Sequence, residues 1–166
     1  RAYLNTEAGE SPQISYDDLK ERNEGLLLLT GGVAGPVGRF LSEGQAPDAE
    51  EVLLRLANIF PGRIYMELQR HGLVKEDEIE DDFIDLAYKH DIPLVATNDC
   101  HFPERAMFEA HDALICIAEG AYVSQTDRRQ LTPEHYFKPA SEMIELFADL
   151  PEAVQNTVVI AKRCAY

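Results

Sequence analysis

The chain has 166 residues, is 45% hydrophobic and 27% charged, and carries a formal net charge of −15. That length and balance suit a single globular domain with its own core. The acidic excess excludes a surface that grips nucleic-acid phosphates unaided, and the lack of a long apolar run excludes a membrane-spanning helix.

Residues 1–12 read as a surface strand or loop ending at the breaker pair Ser11-Pro12. Ser15 is placed to cap a short helix reaching Glu24, with Asp17 and Asp18 in the first turn, where the helix dipole favours acids. Leu26–Thr30 (LLLLT) is a continuous apolar run bounded by glycines, the pattern of a strand buried on both faces of a parallel sheet. Gly31, Gly32 and Gly35 then permit a tight turn, and Pro36 opens a helix that closes at Gly44. GGVAGPVG matches neither a P-loop nor a dinucleotide fingerprint, so its glycines are assigned to close backbone packing.

Pro47 begins the next helix, whose core stripe is Val52, Leu53, Leu56 and Phe60. Pro61-Gly62 stops it, and a strand over Arg63–Arg70 follows, closed by His71. A third helix runs from Glu76 to His90, acidic at its start and basic at its end, with Ile79, Phe83, Leu86 and Ala87 inward. The strand Leu94–Asn98 comes next. Crossovers of this length predict parallel pairing of the three strands. Pro103 begins a helix reaching Ala118, with Met107, His111, Leu114 and Ile115 inward. Residues 120–132 are polar and irregular, and beyond Thr132 the pattern is wholly helical, with Ser141 capping one helix and Pro151 opening another.

Two strands end in residues that can bind metal: His71 after the first, Asp99 and His101 after the second. Residues two apart on a strand share a face, so Glu67, Gln69 and His71 point one way, as do Asp99 and His101. Imidazole and carboxylate at the C-terminal ends of parallel strands are how an α/β barrel builds a metal-dependent site. These donors suit Zn²⁺ or Mn²⁺, and such an ion supports phosphoester hydrolysis. Glu67 lies deeper, either orienting a ligand from behind or forming a buried charge pair. His111 reads as a buried histidine bonded to the strand-end loops, and His90 and His135 as exposed positions without partners. Cys100 should face away from Asp99 and His101 as a packed thiol. Cys100, Cys116 and Cys164 are widely spaced, which fits a reducing cytoplasm better than a disulfide framework. Arg1, rather than Met, predicts a piece excised from a longer protein.

Five runs resemble the alpha-subunit family of bacterial DNA polymerase III: EGLLLLTGGVAGPVGRFL, RIYMELQRHG, PLVATNDCHF, EAHDALICIAEG and, most specifically, EMIELFADLPEAVQNTVVIAKRC. The resemblance extends from Tyr16 to Tyr166. It implies that residues 1–120 form the C-terminal part of a PHP (polymerase and histidinol phosphatase) domain, and 121–166 a helical connector toward the polymerase palm. The implied fold is α/β: a partial PHP-type (βα)7 irregular barrel of parallel strands with flanking helices, followed by a helical C-terminal segment. The family's strand-end metal motifs fall on His71 in ELQRHG and on Asp99 and His101 in NDCH. The resemblance thus implies Zn or Mn at a phosphoesterase or 3'-5' exonuclease site of the parent, and Mg for polymerisation in the parent only.

The family's opening His-x-His motif, its following Asp and His, and a mid-domain Glu/His set have no counterpart here, nor do the palm aspartates. A whole barrel also needs about 200 residues or more. The chain alone is therefore expected neither to polymerise DNA nor to assemble a complete phosphoesterase centre. The implied partners are the rest of the alpha subunit, the proofreading exonuclease subunit, and DNA through other domains, with no membrane. Two alternatives stand beside this reading. One is a metal-free structural module. The other is a stand-alone PHP phosphatase of the histidinol-phosphatase type, against which the helical C-terminal third argues.

Overall fold

The computed structural model describes residues 12–165. The strand or loop expected over residues 1–12 lies, except for Pro12, outside the described residues. Ser15 caps as its sequence suggests: its Oγ accepts the Asp18 N–H at 3.1 Å and starts α1 (Tyr16–Arg22). Three strands, β1 (Leu28–Leu29), β2 (Ile64–Gln69) and β3 (Leu94–Thr97), form a parallel sheet in the order β1-β2-β3. Leu28 pairs with Ile64 and Met66 with Leu94, so all three C-terminal ends emerge at one edge. α2 (Pro36–Ser42) and α3 (Ala46–Ile59) form the first crossover, and α4 (Val74–Lys89) forms the second.

The periodicities of α3 and α4 hold. Leu53, Leu56 and Phe60 from α3 and its C-terminal end, and Ile79, Phe83, Leu86 and Ala87 from α4, share one core with β2, which is buried from Ile64 to Leu68. Burial of each large side chain in that core stabilises by about 1.5–3 kcal/mol. The LLLLT run departs from expectation. Only Leu28 and Leu29 pair, and Leu26 and Leu29 are 50% and 36% exposed. Among the described residues β1 is an outer strand that pairs with β2 alone.

The glycines after β1 do serve close packing. Gly31 adopts a left-handed φ of 86°, and a Cβ on Gly35 would lie 1.9 Å from the Thr30 carbonyl oxygen. That approach lets α2 start directly over the sheet edge.

The last helices differ from the sequence reading in two ways. α5 (Phe108–Glu119) follows a 3-10 turn over Arg105–Met107, and this rotates its inward face. Asp112, Ile115 and Cys116 point in, while Met107 and Leu114 are exposed. Residues beyond Thr132 are also not wholly helical. Phe102 and Tyr136 form a parallel bridge, with His101 N–H donating to the His135 carbonyl at 2.8 Å and Phe137 N–H to the Phe102 carbonyl at 2.9 Å. A single bridge between distant segments leaves no periodicity in the sequence. α6 (Ala140–Leu146), capped from Pro139 rather than Ser141, and α7 (Pro151–Arg163) then pack on the sheet. Phe147, Leu150 and Ala153 join the central core.

Candidate metal centre

The edge where the strands end carries four histidines in a chain of ring contacts. His71 stacks on His135 with centroids 3.9 Å apart and planes 10° apart. His135 lies 6.0 Å from His101, which lies 5.7 Å from His111. His71 and His135 are 2% and 4% exposed. Of the residues picked from sequence, His71 and Asp99 line one cleft of about 480 Å³ together with His135, bordered by Gln69 and Arg39, and His101 is not among the lining residues.

His71 is held from three directions. Its Nδ1 lies 2.7 Å from Glu76 Oε1, and its backbone N–H donates to Glu76 Oε2 at 2.6 Å. A carboxylate only accepts, so Nδ1 is the donor, and in the neutral ring Nε2 keeps the lone pair. The Thr132 hydroxyl donates to the His71 carbonyl at 2.9 Å. Burial by itself would raise the Glu76 pKa, but the hydrogen bonds from the His71 ring and backbone outweigh it and hold the carboxyl below its ordinary value. Burial, reinforced by the adjacent His71 ring, holds His135 below the usual imidazole value.

Beyond β3 the chain supplies the second half of the centre. His101 Nε2 lies 3.0 Å from Asp99 Oδ2, which confirms that these two side chains share a side. Asn98 fixes the loop by donating to the Tyr136 carbonyl at 2.6 Å. Cys100 is exposed rather than packed, its thiol donating to the Asn98 carbonyl at 2.9 Å.

Glu67 is buried on β2 and takes its hydrogen bonds from the turn and the next strand rather than from His71. It accepts from Gly31 N–H at 2.8 Å and from the Thr97 hydroxyl at 2.6 Å. His90 is not partnerless, because its Nε2 lies 2.6 Å from Glu50 Oε1 on α3. His135 is buried rather than exposed. Sequence reasoning missed it because the bridge that brings it to β3 is non-local. Glu76 was legible only as an acid near a helix start, and its carboxylate also accepts from Leu73 N–H at 3.3 Å in that role.

The donor chemistry fits a borderline cation. His71 Nε2 and His111 Nδ1 are buried and, among the described residues, have no hydrogen-bond partner. A buried ring nitrogen without a partner is costly unless something outside the protein's own groups satisfies it. Among the described residues, no three His, Cys, Asp or Glu side chains converge closely enough to hold an ion by themselves. His71, Asp99 and His101 are therefore not brought together as a set of three donors. No helix among the described residues is long and apolar enough to cross a membrane.

Residues 1–71 match the PHP domain. The chain is 48% identical over 165 residues to the DNA polymerase III subunit alpha of Caulobacter vibrioides, covering 99% of this chain and 14% of that protein. It is 44% identical over 153 residues to the same subunit of Rickettsia bellii, covering 92% and 13%. With the Escherichia coli K12 subunit it shares 40% over 165 residues, covering 99% and 14%. The chain therefore spans about one-seventh of the length of the curated relatives it matches. The resemblance read from its motifs is borne out along nearly its whole length, as is the α/β class with parallel strands and flanking helices.

Proposed function

We propose that this chain is a segment of a cytoplasmic bacterial DNA polymerase III alpha subunit, in which it forms one wall of the PHP metal centre. Residues 1–120 would supply that wall and 121–166 the connection toward the palm. The observation that carries this reading is the likeness to polymerase subunits, which runs without a break from the strand ends through α6 and α7. A stand-alone phosphatase would have no need of that helical continuation.

In the parent, His71, Asp99 and His101 would hold Zn²⁺ or Mn²⁺, joined by donors from elsewhere in the subunit. When bound, such an ion supplies Lewis acidity toward a phosphoester, as a 3'-5' exonuclease requires. The protein's own groups do the rest. Asp99 and His101 hold each other in orientation at 3.0 Å. His135 covers one face of the His71 ring and keeps water from it. Glu67 ties the Gly31 turn to the end of β3, fixing the floor beneath the centre. Nucleotidyl transfer with Mg²⁺ belongs to the palm, and DNA contacts belong to other domains, because a surface of charge −15 repels a phosphate backbone. Docking of the proofreading exonuclease subunit is part of the proposal and has the resemblance alone behind it.

The test uses the intact alpha subunit, purified without chelators. Its bound Zn and Mn are measured alongside Mg²⁺-dependent primer extension and mixing with the purified exonuclease subunit. Primer extension should survive His71→Ala and Asp99→Ala, while metal content falls. A wild-type subunit that extends primers but holds no metal would leave the metal-free structural role, which the absence of three converging donors among the described residues favours. A subunit that extends no primer would overturn the polymerase assignment itself.

A further inference from the structure

His71 is the most constrained side chain of the centre, and the constraint has a direction. We infer that Glu76 is a positioning residue that locks His71 in the one tautomer able to offer Nε2 as a cation ligand. This rests on the metal reading above. Glu76 Oε2 is already committed to two backbone donors, His71 N–H at 2.6 Å and Leu73 N–H at 3.3 Å. That commitment orients the carboxylate, so Oε1 meets His71 Nδ1 at 2.7 Å and can only accept. The proton is thereby kept on Nδ1, and the Nε2 lone pair is left buried without a protein partner among the described residues. A ligating histidine usually gives its other ring N–H to a carboxylate in this way, which fixes the ring and raises its basicity.

His135 has a different role from the ligands. Its ring plane lies 10° from that of His71 with centroids 3.9 Å apart, so the two rings stack face to face. His135 therefore sets the tilt of His71, and Glu76 sets its tautomer. Glu76 lies outside the motifs that carried the metal assignment, at the start of α4.

The geometry makes Glu76→Gln an informative variant. The two backbone N–H groups require an acceptor at the Oε2 position, so the amide oxygen takes that place. The amide NH2 then faces Nδ1 and donates to it, moving the ring proton to Nε2 and blocking the ligand position. In the intact subunit, Zn²⁺ affinity would be read by competition with a chromophoric chelator, with primer extension reporting that the protein is folded. Glu76→Gln should weaken Zn²⁺ by about 10- to 100-fold, and Glu76→Asp, which keeps an acceptor-only carboxylate, should weaken it less.

If His71→Ala weakens Zn²⁺ but Glu76→Gln does not, the positioning role is overturned and the metal reading stands. Equal losses in the Gln and Asp variants would mean a merely structural role and would also overturn it. If His71→Ala leaves Zn²⁺ affinity unchanged, the metal reading fails and the inference fails with it.

Discussion

The side-chain amide of Asn156 on α7 donates to the Leu94 carbonyl at the start of β3, at 2.7 Å. Among the described residues β3 pairs with β2 alone, so this carbonyl lies on the side of β3 that no described strand covers. α7 satisfies that edge and covers it, which is one way proteins prevent strand-to-strand association. Replacing Asn156 with Leu should keep the packing but strand the acceptor. The expected cost is about 1 kcal/mol, at the low end for a lost partner because Asn156 is half-buried. Faster amide exchange confined to β3 and α7 would show it, and uniform loosening would argue for a different cause.

Arg70 joins α4 to the segment between α6 and α7. Its guanidinium donates to Glu80 at 2.9 and 2.6 Å, to both Asp149 oxygens at 2.7 Å, and to the Leu146 carbonyl at 2.6 Å. It also sits 4.6 Å from the centre of the Phe147 ring. Lysine has three donors on one nitrogen and cannot reproduce the five bonds that the planar guanidinium spreads over two carboxylates and a carbonyl. Arg70→Lys is expected to cost about 1–2 kcal/mol, discounted because Asp149 is largely exposed and solvent screens it. The loss should appear as protease sensitivity around residues 146–150, with β2 still protected.

What could be read from sequence follows the range of the interactions involved. Strand alternation placed Asp99 and His101 on one side, and their side chains do meet at 3.0 Å, although β3 ends at Thr97 and neither residue lies on a strand. The α3 and α4 stripes were equally local. His135 was misplaced because its position depends on the Phe102–Tyr136 bridge, and His90 because its partner Glu50 lies on another helix. Glu76 looked like any acid favoured by a helix dipole, and only folding shows that its second oxygen meets a ring nitrogen. The C-terminal helices were legible as helices. Their place in the core rests on Phe147, Leu150 and Ala153, whose contacts are with distant strands.

Glu67 separates two roles that sequence alone left open. It accepts from Gly31 N–H and the Thr97 hydroxyl, and its own N–H donates to Thr30 Oγ1 at 2.9 Å. Glu67→Ala removes the acceptor for these two donors and for the more distant Gln69 Nε2 at 3.4 Å, and should destabilise by about 2–4 kcal/mol. Glu67→Gln should cost about 1 kcal/mol, because the Thr97 hydroxyl can rotate to accept from the new amide. If Glu67 also orients a metal ligand from behind, the Gln variant will lower Zn²⁺ affinity by more than its stability loss explains. Paired unfolding and metal titrations of the two variants distinguish a structural anchor from a ligand support.

Asp112 and Arg128 give the clearest dependence on pH. The guanidinium meets both carboxylate oxygens at 2.6 Å, tying the irregular segment after α5 back onto that helix. The bond to Arg128 holds the Asp112 carboxyl below its ordinary value, and the same bond raises the Arg128 pKa. A carboxylate with a depressed folded pKa contributes stability that is fully present above its unfolded value, about 4. That contribution is lost as pH falls through the lower folded value. Residues 120–131 should therefore stay protected from exchange near neutrality and loosen in acid, below about pH 4. Asp112→Asn removes the titrating group and leaves the guanidinium with a neutral partner. The segment should then be looser at every pH, with this acid-dependent step gone. Persistence of the step in the Asn variant would assign it to another carboxylate.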